Sequence, residues 1–324
     1  MTYDIIILGA GIAGASMAYE LSRSARVCLV ERETHPGLHA TGRSAALFLP
    51  SYGGPEIRAL TRASKAFFDA PPEGFCDHPL LVPRGCLFIG RADQARQLDR
   101  MVTEVEATGG ALEVVDQAAA VARVPLLRAS YVASAGFDRI AMDIDVDALH
   151  QGFLRGARAA GAVLKVDTGA PVVSRGGGVW SVGLRGETIT APVLVNAAGA
   201  WADEVAAQCG VRPLGLQPLR RTAMLVDPPE GVDVRGWPAV IDVDEQFYFK
   251  PEAGKLLLSP ADETPSAPCD ALPDEMDIAI GVDRVQAALD IEVRRVNRSW
   301  AGLRTFTPDR VPVVGFDSKV PGFF

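Results

Sequence analysis

The sequence predicts an α/β domain with a Rossmann-like parallel sheet, joined to a second, α+β domain built on an antiparallel sheet. Three observations predict it. Residues 4–32 read as strand, glycine-rich turn, helix and second strand. Apolar strands and amphipathic helices alternate again between about residues 145 and 210. From Leu214 to Pro260 that alternation gives way to short strands between proline-rich turns, the pattern of an antiparallel sheet.

In the first unit, Ile5 to Leu8 is wholly apolar, as suits a parallel strand buried on both faces. Gly9, Gly11 and Gly14 follow with G-x-G-x-x-G spacing. The first allows the tight turn, the second lets backbone approach a pyrophosphate, and the third lets the next helix pack on the strand. Ala15 to Leu21 suits that helix, whose N-terminus offers free N–H groups and a partial positive charge to phosphate. Val27 to Val30 is the second strand, and Glu31 at its end is placed to accept from ribose hydroxyls. The motif leaves open which dinucleotide is bound.

The 324 residues suit about two domains. A net charge of −8 excludes a nucleic-acid surface, because nothing concentrates lysine and arginine. Five cysteines, Cys28, Cys76, Cys86, Cys209 and Cys269, are odd in number and form no C-x-x-C pair, so neither a disulfide framework nor a zinc site is expected. The N-terminus lacks a basic leader and its apolar run is broken by glycines, unlike a signal peptide. No segment approaches the roughly 18 uninterrupted apolar residues of a membrane span. The expected location is cytoplasmic, with peripheral membrane association left open.

After Glu31 comes a polar, turn-rich passage. His35 and His39 read as loop histidines, since no carboxylate or cysteine stands at ligand spacing, and no metal is expected. Thr41, Gly42, Arg43 and Ser44 combine hydroxyl, glycine and guanidinium, which suits either a phosphate contact or a helix N-cap. Ile57 to Phe68 has helical periodicity, Leu80 to Ile89 reads as an interrupted strand, and Ala92 to Thr108 as a second helix. Val121 to Leu127 reads as a short helix and turn. Residues 80–140 thus form an inserted α+β unit.

Asp145 to Ala160 predicts a helix with acids in its first turn and Gly161 at its end. His150 lies within it and reads as packed rather than catalytic. Val163 to Val166 returns as a strand, and Pro171 to Ala191 as a three-stranded meander. Val193 to Val195 is a further buried strand, followed by Asn196, Ala197, Ala198 and Gly199. Such a small-residue turn at the carboxyl edge of a sheet lets a ligand approach backbone. Strands follow at Thr222 to Val226, Ala239 to Asp242, Gln246 to Lys250 and Lys255 to Ser259. A loop at 260–273, a helix at Ile278 to Leu289 and a last strand near Leu303 to Phe306 complete the pattern.

Taken together, GAGIAG at 9–14, ATGRSAAL at 40–47, VLVNAAGAW at 193–201 and WAGLRTFTPDRVPVVG at 300–315 resemble the D-amino-acid oxidase family of FAD-dependent oxidoreductases. The likeness covers almost the whole chain, with several motifs in the family's order. It is closest to the bacterial D-arginine/D-amino-acid dehydrogenases, notably in GRSAA, HPLL, DIDVDALHQGFLRG and VRPLGLQPLRR. The resemblance implies a glutathione-reductase-like FAD domain of the p-hydroxybenzoate-hydroxylase type, discontinuous over 1–79, 141–213 and 300–324. A substrate domain over 80–140 and 214–299 would roof the flavin. Besides the residues above, the resemblance extends the cofactor set to Ile12, Ala13, Arg32, Ala45, Val172, Trp201 and Arg304. It implies FAD held non-covalently, since no cysteine falls at an assignable attachment position.

The resemblance also implies that Tyr52, Arg221, Tyr248 and Arg304 hold the amino acid over the flavin. Guanidinium suits a carboxylate bidentately, with a phenol as further donor. Relatives that prefer arginine and lysine carry an acid at the position of Cys86 and a histidine at that of Leu47. Neither cysteine nor leucine pairs with a cationic side chain, so neutral or apolar D-amino acids are expected here. The implied reaction transfers hydride from Cα to flavin; the imino acid then hydrolyses to a 2-oxo acid and ammonia. No side chain stands out as a base, so solvent or substrate ionisation would suffice.

The electron acceptor, quinone or oxygen, stays open. An amine, sarcosine or glycine-type oxidase is the enzymatic alternative, and an NAD-dependent dehydrogenase leaves the motifs at Asn196 to Trp201 and Trp300 to Gly315 unexplained. Relatives continue past the position of Phe324 through a glycine-rich turn and closing helix that contact the flavin ring. The non-enzyme alternative is therefore a shortened chain that binds ADP without turnover.

Overall fold

A computed structural model describes all 324 residues. Its parallel sheet is ordered Val193–Asn196, Ile5–Leu8, Val27–Val30, Val163–Lys165, with every pair parallel. Phe323 adds a parallel bridge to Leu194 at the free edge. The buried apolar strands do what wholly apolar runs require, packing side chains on both faces. On one face the helices Ile12–Leu21 and Val146–Ala159 pack so closely that a Cβ at Gly156 would lie 2.3 Å from the Tyr19 ring. On the other, Ile6, Leu8 and Leu194 share a core with the meander Val172–Gly176, Val179–Leu184, Glu187–Ala191, where Trp180 is fully buried.

The second sheet has nine strands. Along it run Thr264–Pro265, Gln217–Val226, Lys255–Ser259, Tyr248–Glu252, Ala239–Asp242, Cys86–Gly90, Ser134–Asp138 and Glu113–Asp116, with Val296–Phe306 paired to Gln217–Val226. All its pairs are antiparallel except Ala239–Asp242 with Cys86–Gly90. The strand Cys86–Gly90 is buried throughout. By the two-residue period of a strand, Leu87 and Ile89 enter the core under helix Glu275–Ala288, and Cys86 and Phe88 the core under helix Ala95–Ala107. The expected fold class is therefore the one observed.

Several boundaries differ from the sequence reading. The piece expected to return to the cofactor domain at residue 300 starts inside the strand Val296–Phe306, which pairs along nearly all of Gln217–Val226. Only Gly322 to Phe324 rejoins the parallel sheet, through Leu194 and Asn196 backbone bonds. Leu81–Pro83, assigned to the inserted unit, instead joins Leu47–Phe48 and Met142–Ile144 in a small third sheet. The short helix is Gln117–Arg123 rather than 121–127, because the Asp116 carboxylate accepts from Ala119 N–H and caps it.

Candidate active site

Two cavities meet where the sheets face each other. The first, about 250 Å³, is a cleft over the carboxyl ends of the parallel strands, lined by the glycine turn, Glu31, Arg32, Thr41 and the turn Ala197 to Trp201. The second, about 270 Å³, lies under the antiparallel sheet and is lined by Tyr52, Arg221, Tyr248 and Arg304. Ala40, Arg43, Gly302 and Leu303 border both.

The glycine turn is built by close backbone approach. Gly9 has φ +99°, and a Cβ there would stand 2.4 Å from the Ala197 carbonyl oxygen. A Cβ at Gly14 would stand 1.8 Å from the Gly9 carbonyl oxygen. The small residues at 196–199 thus serve the turn they face: Asn196 caps its own loop, its side chain accepting from Ala198 N–H and donating to the Ala202 carbonyl. Glu31 is buried, and its carboxylate accepts from Ala10 N–H and Glu33 N–H, each at 3.0 Å. Two bonds leave lone pairs for a ribose hydroxyl. His150, also buried, donates from Nε2 to the Ala10 carbonyl at 2.8 Å, bracing the turn from behind.

The turn Thr41–Arg43 has no side-chain cap, and the Thr41 hydroxyl instead accepts from Ile12 N–H at 2.9 Å. That places a hydroxyl proton beside the helix N-terminus. Gly42 lets the loop close on itself, since a Cβ there would meet the Gly37 carbonyl oxygen at 2.7 Å. Ser44 and Ala45 line the second cavity rather than the cleft. The Arg43 guanidinium is committed to protein: it donates to the carbonyls of Leu38, Ala271 and Ala301 and pairs with Asp270. Its side chain ties the loop after the second parallel strand to the antiparallel sheet, at the border of the cleft.

Ile12 and Ala13 line the cleft as expected. Arg32 stacks 4.8 Å over the Trp201 ring, with His39 on the same indole at 4.8 Å. Like Ser44 and Ala45, Arg304 lines the second cavity and not the cleft; Val172 lines neither, being 71% exposed on the meander, whereas Ala170 and Pro171 do line the cleft. A strand's alternation turns it outward. Cys269 also borders the cleft, a position that no sequence signal marks.

In the second cavity the two arginines come from paired strands. Arg221 stands directly opposite Gly302, and Arg304 opposite Leu219. Arg221 and Arg304 are therefore diagonal neighbours on one face, and the bare Gly302 leaves the space between them open. Arg221 donates from Nε to the Asp262 carbonyl at 2.8 Å and from Nη2 to Glu263 at 3.0 Å. Tyr52 donates to Glu245 Oε2 at 3.0 Å; burial, then the Glu245 charge, holds its phenol above the usual range, against the Arg304 guanidinium beside it. Tyr248 joins the wall from the strand Tyr248–Glu252, separated from Gln217–Val226 by Lys255–Ser259, with Leu47, Leu49, Ala223, Ile241 and Leu303 as apolar lining. Leu47 faces the cavity, while Cys86 is fully buried beneath it. The four expected substrate residues are gathered in one cavity; Glu245 and Glu263 were not foreseen, since each partners residues far away in sequence.

The profile of the family described as FAD dependent oxidoreductase matches residues 4–324. Glycine oxidase of Geobacillus kaustophilus is 25% identical, over 99% of this chain and 86% of its own. Hydrogen cyanide synthase subunit HcnC of Pseudomonas aeruginosa is 24% identical, with the same coverage of 99% and 86%. Among solved structures, glycine oxidase from Geobacillus kaustophilus superposes with a TM-score of 0.87 at 23% identity, covering 100% of this chain and 88% of that one. L-proline dehydrogenase from P. horikoshii superposes at 0.86 and 20% identity, covering 99% and 86%.

Proposed function

The chain belongs to the FAD dependent oxidoreductase family, and on that premise we propose that it oxidises neutral or apolar D-amino acids. The cofactor is FAD, and the cleft fits it. Bare glycine backbone and the Ile12 helix end suit a pyrophosphate, and the buried Glu31 suits a ribose. When bound, FAD supplies the hydride acceptor for the substrate Cα.

The observation that carries the substrate reading is the pair Arg221 and Arg304 on one face of an apolar cavity that opens into the cleft. Two guanidiniums with a gap between them fit one carboxylate, and Tyr248 and Tyr52 close the wall around it. Tyr52, with its pKa raised, keeps its proton and donates it to Glu245, which holds the ring in the wall. Leu47, Leu49, Ile241 and Leu303 then surround the substrate side chain and exclude water. Glu245 is the one carboxylate in the lining; it is engaged by Tyr52 and lies in the field of Arg310, so it offers little to a cationic side chain. In this reading the substrate amine loses its proton to solvent, and the imino product hydrolyses to a 2-oxo acid and ammonia. The acceptor that reoxidises the enzyme is a quinone or oxygen.

Glycine or secondary-amine oxidation is the second reading, favoured by relatives that carry the name glycine oxidase. The deciding experiment mixes the FAD-loaded protein, without oxygen, with D-leucine, D-methionine, D-arginine, glycine or sarcosine. Bleaching of the visible flavin bands by D-leucine and D-methionine is expected. A strong preference for D-arginine sinks the side-chain assignment, and bleaching by glycine or sarcosine alone moves the chain to the second reading.

A further inference from the structure

Glu263 stands behind the two arginines of the substrate cavity, just before the strand Thr264–Pro265. Its Oε1 accepts from Arg221 Nη2 at 3.0 Å and Arg310 Nη1 at 3.1 Å, with Arg304 Nη1 at 4.0 Å. Its Oε2 accepts from Arg310 Nη2. Three guanidiniums from three segments converge on one carboxylate. Glu245, bonded to Tyr52, is the second acid of the group.

We propose that Glu263 is a positioning residue that gathers Arg221 and Arg304 into a preformed receptor for a single carboxylate and ties it to the Arg310 loop. The proposal rests on the amino-acid reading of the cavity. Like charges this close repel unless an anion lies between them. Without Glu263 the arginines lose the negative charge they share, hydrogen-bonded to Arg221 and ion-paired with Arg304, and the substrate alone would have to draw them together. A receptor ordered beforehand binds more tightly than one ordered by its ligand. Arg221 is also anchored by Nε on the Asp262 carbonyl, so Glu263 fixes the second side of the same fork and leaves its remaining N–H groups uncommitted. The Arg310 pairing holds the Glu263 carboxyl below its ordinary range, so the acid stays ionised at neutral pH.

The test uses the FAD-loaded protein and benzoate as a monocarboxylate probe, read by perturbation of the flavin spectrum, together with steady-state kinetics on D-leucine. Glu263→Ala is expected to weaken benzoate about tenfold and to raise KM by a similar factor, with kcat within roughly threefold of the parent. Glu263→Gln, isosteric and retaining one acceptor, is expected to lose less than Glu263→Ala. A purely structural role would lower thermal stability without this split between KM and kcat. Unchanged or tighter benzoate binding in both variants overturns the proposal while leaving the amino-acid reading standing. A parent protein that binds no carboxylate and oxidises no amino acid overturns both.

Discussion

The Thr41 hydroxyl accepts the Ile12 N–H at 2.9 Å, joining the loop after the second strand to the start of the first helix. The hydroxyl keeps its own proton free for a phosphate oxygen, so one side chain both orders the helix end and extends its donor set. Thr41→Val, which keeps the shape and removes the oxygen, is expected to weaken FAD binding by about 1 kcal/mol, roughly fivefold. Thr41→Ser should recover most of it. Flavin fluorescence titration measures both, and a valine variant with parental affinity would remove Thr41 from the cofactor site.

Gly9→Ala should be far more costly than an ordinary glycine substitution. Its φ is +99° and its new Cβ would press on the Ala197 carbonyl, a backbone atom that cannot swing aside. The expected cost is about 2 kcal/mol or more, with loss of FAD retention. Gly210→Ala is the control: φ is also positive there, at +69°, but nothing lies within 4 Å of the added carbon. About 1 kcal/mol is expected at that position, and urea unfolding of the two variants side by side would show whether close approach or backbone conformation sets the cost.

Arg221→Lys is not conservative at this site. One ammonium cannot reach the Asp262 carbonyl and the Glu263 carboxylate while also presenting a fork to a ligand. KM for the amino acid is expected to rise by roughly one to two orders of magnitude, with a smaller fall in kcat. A variant with parental KM would show that Arg221 does not hold the carboxylate.

Asp138 supplies a pH dependence. It is buried, and burial raises its pKa above the ordinary value of 3.8 even though it accepts bonds from Ser51 and from Ile140 N–H. An acid with a raised native pKa is more protonated when folded than when unfolded. Folding therefore takes up protons as pH rises from the unfolded pKa toward the native one, and stability falls across that window. Asp138→Asn should remove this contribution, making stability less dependent on pH just above 3.8 while keeping acceptor contact with Ser51. Unfolding curves at several pH values for both proteins give the comparison, and identical slopes would contradict the assignment.

Much of the cofactor side was legible in the chain. Gly9, Gly11, Gly14 and Glu31 lie within a single strand–turn–helix–strand unit, whose geometry local spacing determines, and the cleft forms around them. The parallel strands were readable for the same reason: burial on both faces writes itself as an unbroken apolar run. Glu113–Asp116 and Ser134–Asp138 were not, because their short mixed sequences become strands only when the neighbours at Cys86–Gly90 complete the ladder. The strand Val296–Phe306 likewise exceeds its apolar segment, its ends defined by pairing with Gln217–Val226.

By itself, then, the sequence determined the dinucleotide turn and the alternation of elements, and its resemblance to a family named the four residues now gathered in the second cavity. Tertiary structure alone decided which groups those residues face. Tyr52 is drawn to Glu245 and Arg221 to Glu263, and outside the four Arg43 is drawn to the Ala301 carbonyl. Local periodicity reports the face on which a side chain lies, because that follows from backbone geometry within a few residues. The charge that meets it there depends on how distant segments close over one another, and no local pattern records that.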